Sequence, residues 1–434
     1  MARAMPSLAD TPSGIDTLVR IAVFAVDPAE RDRARRTIHI AAIERGIFTA
    51  SIQGLYDAVA RGRVAGFTVP AHNLRGLIYD SARAAFRAAK ALNVGAFIFE
   101  ISRGEMDYCF VRPAEYSACV LAAAMREDWK GPVFIQGDHF QFPAKAYVEN
   151  PAKVVEDIKA ATREAVDAGF LNIDIDPSTL VRLDRPTLKG QQRDNYERAA
   201  ELTEFIRSIQ PPGVEISVGG EIGEVGKHNS TVEEFEAFFE GYRERYSGKP
   251  ISKLSVQTGT AHGGVVNPDG SRAKPAVDFD VLREISAACR RCGIAGTVQH
   301  GASTLPEEMF REFPRNDAVE IHLATELQRI IFDHPKLPKE LRRKAERWVE
   351  ETRPPEWSAG QTPAQNFEKA VKRSWGPLKR EMWDMPADAL EAIMASLESR
   401  FSRTFSLLGV KGTRKLIEEY VKPVPVLAPQ SAGI

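Results

Sequence analysis

The chain has 434 residues, 43% hydrophobic and 27% charged, which is enough apolar material for a large buried core. Its 58 Lys+Arg against 59 Asp+Glu give a formal net charge of −1, so composition offers no support for a nucleic-acid or acidic-surface partner. No apolar run reaches membrane-spanning length and the N-terminus has no signal-peptide pattern, so a cytoplasmic location without a membrane partner is expected.

Residues 1–18 are rich in Ala, Pro, Ser and Gly and read as a disordered end. Basic, helix-compatible stretches follow at Pro28–Arg45 and Leu55–Arg61, giving an N-terminal segment of tail and helices over 1–64. From residue 65 short β-rich runs alternate with stretches of helical period, the pattern of βα units around a parallel sheet. The predicted strands are Gly66–Pro70, Ala96–Ile101, Val133–Gln136 and Leu171–Ile175, then Glu215–Val218, Lys253–Gln257, Gly296–Gln299 and Ala318–His322. Helices are predicted at Leu77–Leu92, Ala114–Asp128, Ala152–Ala168, Arg193–Ile209, Val232–Tyr246, Asp280–Arg291 and Pro306–Phe313. That count predicts an α/β protein, a (β/α)8 TIM barrel over 65–335. An open doubly wound sheet is the rival, but no GxGxxG follows the first strand.

Beyond the barrel, 336–434 reads as a helical C-terminal extension with breaks at Pro338 and Arg353-Pro354-Pro355 and a loose tail from Pro423. Trp348, Trp375 and Trp383 are read as its packing anchors rather than ligand contacts. The four cysteines are Cys109, Cys119, Cys289 and Cys292; the CxxC of the last two falls in a predicted helix with no second CxxC, so all four are read as reduced structural thiols.

Polar residues just past the predicted strands are few and selective. The apolar run Pro132–Ile135 leads into Gln136-Gly137-Asp138-His139-Phe140, and strand five leads into a Gly-rich loop with Glu221. Strand six ends in Gly259-Thr260-Ala261-His262-Gly263-Gly264, and strand seven in His300-Gly301-Ala302-Ser303. One histidine at a strand end is ordinarily a packing residue. Three of the chain's eight, with a carboxylate, on one barrel face suit Zn²⁺ in number and softness. The glycines allow close backbone approach, and their amides suit a phosphate at the loops after the last strands. His72 or Asn73 after strand one, His228 and His322 are weaker candidates for touching a ligand, while His39 and His334 read as surface or packing residues.

These residues resemble the class II, metal-dependent fructose-bisphosphate aldolase family over roughly 65–330. Phe67–Asn73 is similar to the family's first strand with its Asn, and Ile101-Ser102-Arg103-Gly104 to its SxG element. Asp138-His139 matches the Asp-His pair, Asp174-Ile175-Asp176 the fourth unit with a carboxylate near the metal, and Glu221–Gly226 the ELGxxG element. Gly259–Gly263 matches GTAHG, and His300–Ser303 resembles HGGS. The resemblance implies Zn²⁺ on His139, Glu221, His262 and His300, with an additional monovalent cation nearby, and Asp138 as acid/base. The metal would polarise the ketone of dihydroxyacetone phosphate and stabilise the enediolate. It implies substrate contacts from Asn73, Ser102, Gly263, Gly301, Ser303, His322 and Thr325, a sugar-phosphate substrate, and a homodimer or homotetramer.

The departures fall on the substrate side. The family's NIDTDLR reads His322-Leu323-Ala324-Thr325-Glu326-Leu327-Gln328, no Lys follows GTAHG closely, and Lys227-His228-Asn229 stands where acidic residues are usual. These changes spare the metal and Asp138 and bear on fructose 1,6-bisphosphate itself more than on the reaction type; its reversible cleavage is the first expectation from the resemblance. Another phosphorylated ketose, such as tagatose bisphosphate or a modified sugar phosphate, is the alternative. A non-catalytic aldolase-like subunit is the third, and the intact ligand set argues against it.

Overall fold

Nine parallel strands make up the sheet of the structure, a computed structural model that describes residues 5–226, 228–259, 267–268, 277–422 and 424–426. They are β1 (Ile47–Ala50), β2 (Val69–Asn73), β3 (Ile98–Ser102), β4 (Gly131–Gln141) and β5 (Asn172–Asp176), then β6 (Ser217–Glu221), β7 (Lys253–Val256), β8 (Thr297–Gln299) and β9 (Ala318–Leu323). Strands β2 to β9 close into an eight-stranded barrel: β9 pairs with β2 and β4 with β5, so no edge is left open. Each strand alternates: Phe99 and Ile101 of β3 turn to the helical layer, where Phe99 meets Phe86 at 5.2 Å, while Glu100 faces inward with Gln136 of β4. The expected TIM barrel is what forms, with helices around it and a helical extension on one side. No described helix is long and apolar enough to cross a membrane.

Two expectations at the N-terminus are corrected. Residues 1–18 are not all a disordered end: Pro12–Phe24 is a helix, capped by Thr11 accepting from the Gly14 N–H at 3.1 Å, with Ile15 and Leu18 buried. Small residues mask the helical spacing of Ile15, Leu18, Val19 and Ala22, which carry its buried face. The segment 19–62 also holds a strand as well as helices. The four residues of β1 pair with Gly131–Phe134 of β4, just before β5 takes over that edge at Gln136. Four residues are too few to display a period, and their partners lie far along the chain.

The Asn172 side chain locks this junction, accepting from Ile52 N–H at 2.9 Å and donating to the carbonyls of Ala50 and Ile135 at 3.2 and 3.0 Å. The helix Gln53–Ala60 then sends the Tyr56 hydroxyl to Glu320 inside the barrel, closing the end opposite the loops after the strands.

The extension is fastened by aromatic packing. Trp375 fits against Gly76, where a Cβ would come within 2.0 Å of the indole, and its Nε1–H donates to Gln328 Oε1 at 3.2 Å. Trp383 is also buried and Trp348 is partly buried, so all three tryptophans pack as expected. The helix Ala387–Leu407 lies on the helix Ile78–Ala91 and brings Phe401 and Phe405 edge-on to His72, at 4.7 and 5.6 Å between ring centroids.

His72 thus points away from the barrel interior into an apolar layer, and neither ring nitrogen has a hydrogen-bond partner among the described residues. Burial pushes its pKa down to about 3. The unfolded chain takes up that proton below its ordinary 6.5 and the folded chain does not, so stability is lost as pH falls from 6.5 towards 3. At pH 5 the loss amounts to about 2 kcal/mol. In His72→Leu this component is absent: the urea-unfolding free energy of the variant should gain on wild type by about that amount between pH 7 and pH 5. A constant difference across the range would exclude the titration.

Candidate active site

The site begins with an irregularity in β4. Gln136 and Gly137 pair with Asn172 and Ile173, and the next pair is Phe140 with Ile175, so Asp138 and His139 together oppose Asp174. His139 adopts a left-handed φ of 42°, which lets two consecutive side chains turn to the same face. Gly137 is needed there, since a Cβ would lie 2.3 Å from the Phe140 ring. The expectation that the Asp-His pair follows the end of its strand is corrected: the pair sits in a bulge within a strand that runs on to Gln141.

Three of the four expected metal ligands converge. His139 Nδ1 lies 3.4 Å and His300 Nδ1 3.9 Å from the same oxygen, Oε2 of Glu221, and the two imidazoles meet edge-on at 4.3 Å. Donors about 2 Å from a tetrahedral zinc stand roughly 3.3 Å apart; among the described residues the groups around His139 whose ligand atoms all lie within 4.8 Å of one another are Asp138 with His139 and His300, and His139 with Asp176 and Glu221, so His139 is common to both. His262 and Gly263 lie outside the described residues.

Each imidazole has a supporting partner. Asp176 Oδ2 is 3.1 Å from His139 Nδ1, so a metal held with that support would take the ring's Nε2, on the Asp138 side, and Ser255 Oγ is 3.3 Å from His300 Nε2. Burial works against a charged Asp176, but hydrogen bonds from His139, Ser178 and Gln141 outweigh it and hold its carboxyl low. Burial and then the Asp176 charge drive the Glu221 carboxyl well above its usual range. The buried His300, the half-buried His139 and the carboxylates of Asp138, Asp176 and Glu221 around them offer the donor types that a divalent cation takes.

Behind this set the barrel interior is charged rather than apolar. Lys253 donates to Gln136 Oε1 at 2.7 Å and to Asp174 Oδ2 at 3.0 Å, and also to Glu320. His322 bridges outward from the network, its Nε2 2.7 Å from Glu320 Oε1 and its Nδ1 3.1 Å from Asp138 Oδ1 and 3.2 Å from Glu100 Oε2. Burial opposes the charge on Glu320, but Lys253 and His322 prevail and hold its carboxyl at about 2. For Asp174 burial wins and lifts it to about 6, and Glu100 is lifted as well. None of Lys253, Glu320 and Glu100 was singled out in the sequence. Their common signal is a charged residue inside an otherwise apolar barrel strand.

A cavity of about 850 Å³ opens above the ligands. Asp138, His139 and His300 line it, as do Asn73, Ser102, Gly301, Ser303, His322 and Thr325 from the expected substrate set. Several are already engaged. Asn73 donates to Glu105 at 2.6 Å, Ser102 forms a capping box with Glu105, and Ser303 Oγ accepts from the Ala324 N–H at 2.8 Å. Of the weaker candidates, Asn73 faces the cavity while His72 does not, and His228 lies exposed against its neighbour Asn229. The walls also include residues that the sequence reading passed over: Arg75, Glu105 and Tyr108 from the barrel, and Glu356, Glu368, Lys369, Lys372 and Arg373 from the extension.

Comparison with known proteins places this geometry. The family model for fructose-bisphosphate aldolase class-II matches residues 54–412. No curated protein matches the chain by sequence. Among solved structures, the YdjI aldolase of Escherichia coli K12 is similar at 15% identity and TM-score 0.51, over 84% of this chain and 99% of that one. Fructose-bisphosphate aldolase of Campylobacter jejuni is similar at 16% and 0.51, over 85% and 97%. The fructuronate-tagaturonate epimerase UxaE of Cohnella laeviribosi is similar at 13% and 0.59, over 87% and 86%. At these identities the likeness is one of fold.

The ligand arrangement is checked by metal content. Titration of chelator-stripped protein with Zn²⁺, followed by calorimetry, should show one tight site per chain that His139→Ala and His300→Ala each abolish. Asp176→Asn, which removes the carboxylate that His139 Nδ1 faces, should weaken it about 10- to 100-fold. Undiminished zinc binding in His300→Ala would place the ion elsewhere.

Proposed function

The chain belongs to the class II fructose-bisphosphate aldolase family and is an aldolase, a carbon–carbon lyase; from that premise we propose that it cleaves a phosphorylated ketose, fructose 1,6-bisphosphate first, into dihydroxyacetone phosphate and an aldehyde. The observation that carries the reading is the bulge that presents Asp138 beside His139, in reach of His300 and Glu221, on the floor of an 850 Å³ cavity. Zn²⁺ is the metal proposed for His139, Glu221 and His300, with His262 as the fourth ligand; when bound, it supplies a Lewis acid for a ketone oxygen.

The chain's own residues do the rest. Asp138, 5% exposed and 3.1 Å from His322 Nδ1, moves the proton to and from the hydroxyl at the bond that breaks. His322 fixes the carboxylate's orientation and stands where an amide is usual in the family. Asn73 and Ser102 bound the carbon chain. Gly301, with φ 70°, brings its backbone close to the phosphate beside Ser303. Thr325, the first residue of the helix Thr325–Phe332, lines the same cavity.

Tagatose bisphosphate and modified sugar phosphates remain the alternative substrates because the departures lie at His322 and Ala324, both cavity walls, and not at the metal. The test is turnover on a panel of these ketoses. Chelation should abolish it, and Asp138→Ala should keep its zinc while kcat falls about 10²- to 10⁴-fold. An Asp138→Ala enzyme with near-full kcat would remove Asp138 from the chemistry, and a zinc-loaded wild type inert on every ketose would favour a non-catalytic role.

A further inference from the structure

Cleaving a ketose calls for two proton movements, and Asp138 accounts for one of them. The hydroxyl on the aldehyde side gives up a proton, and the carbon that keeps the bonding electron pair must receive one. The second transfer needs another group on the cavity wall.

Glu100 is placed for it. It lies in β3, buried yet lining the cavity, and its own backbone carbonyl accepts from the Tyr116 hydroxyl at 2.7 Å and the Leu74 N–H at 3.2 Å. Its Oε2 accepts from Gln136 Nε2 at 3.0 Å and stands 3.2 Å from His322 Nδ1, the nitrogen that also faces Asp138 Oδ1 at 3.1 Å. Its Oε1 is buried with no hydrogen-bond partner among the described residues. Buried polar atoms are ordinarily satisfied, so an orphaned oxygen on a cavity wall marks a place for a ligand.

The other acids of that wall are engaged. Arg75 and Asn73 hold Glu105, Arg112 meets Asp107, Arg329 meets Glu368, and Glu356 pairs with Lys372 and Arg373. Deeper in the barrel, Lys253 takes Asp174 and Glu320. Burial, against the opposing charge of His322, lifts the Glu100 carboxyl well above its usual range and favours the acid form. With Oε2 already accepting, the acid proton falls to Oε1, the oxygen without a partner.

We propose that Glu100 is a second catalytic acid/base, giving a proton to the ketone-side carbon in cleavage and taking it back in the reverse direction. The inference rests on the aldolase reading of this site. In cleavage the hydroxyl O–H bond breaks and its proton goes to Asp138, and the electron pair of the C–C bond passes to the ketone-side carbon. A C–H bond then forms there with the proton from Glu100 Oε1. One carboxyl gains a proton and the other loses one, and exchange of both with water as products leave restores the starting state.

The test is hydrogen exchange between dihydroxyacetone phosphate and D2O, followed by NMR with the zinc-loaded full chain, because this needs the carbon proton transfer and no aldehyde. Wild type should exchange a hydrogen of the hydroxymethyl carbon. Glu100→Gln keeps the size of the side chain and should bind zinc as wild type does, yet exchange and cleave about 10²- to 10⁴-fold more slowly. Glu100→Asp, which keeps the carboxyl, should recover part of that loss. Asp138→Ala should lose cleavage far more than exchange. Infrared difference spectra of wild type against Glu100→Gln, taken without metal at pH 7, should show the carboxylic acid C=O stretch of Glu100. Near wild-type exchange in Glu100→Gln, or a Glu100 found ionised in the infrared, would overturn the role and leave the aldolase standing. A wild type that neither exchanges nor cleaves any ketose would defeat the aldolase reading, and this role with it.

Discussion

Two neighbouring side chains cannot face the same side of a regular strand, and this site needs them to. The barrel resolves the conflict at β4, where His139 takes a left-handed φ and Asp138 and His139 share one opposing residue. Such a conformation costs a non-glycine residue of order 1 kcal/mol or more and persists only where the surroundings insist on it. Here they do. Phe140 is buried behind Gly137, Asp176 takes His139 from one side, and His322 takes Asp138 from the other. Strain in the strand is held in place by hydrogen bonds that also orient the reactive groups.

Those hydrogen bonds require a polar barrel interior, and that sets the character of the core. In a barrel whose strands bury apolar branches, nothing would fix the Asp138 carboxylate from behind. This chain instead runs Lys253, Gln136, Glu320 and His322 as one connected set up to Asp138. A buried ion pair of this kind adds little net stability compared with apolar packing, yet leaving one partner alone is costly. The arrangement is best understood as a scaffold for orientation. The apolar contribution comes from the layer outside the strands, where Phe86, Phe97, Phe99 and Trp129 interlock.

How far the sequence could be read follows from the range of the interactions involved. The barrel strands and their long helices announce themselves locally, by period, so β2 to β9 fall within a few residues of the predicted runs. The expected ligands His139, Glu221 and His300 could be singled out because rare residue types recur at successive strand ends. What stayed hidden depends on partners far along the chain. Four-residue β1 has meaning only beside β4, and the bulge appears only once β5 gives it a register. Lys369 and Arg373 look like ordinary charges on an amphipathic helix until Trp375 docks that helix beside Gly76. Charged residues inside strands, Glu100 and Lys253 among them, were a signal in plain view, and a polar barrel interior was the reading they called for.

The departures from the family pattern acquire a common direction once they are placed in space. The expected metal-side residues keep their types, whereas His322 and Ala324 differ, and both line the cavity to which the extension also contributes residues. His322 cannot be a neutral exchange for an amide, because its ring joins Asp138 to Glu320 and Glu100 in a single network. Ala324 in place of a carboxylate removes a negative charge from the cavity wall beside Ser303. Both departures therefore lie on the wall of the cavity, outside the set of expected metal ligands, and His322 carries its change into the network that orients Asp138.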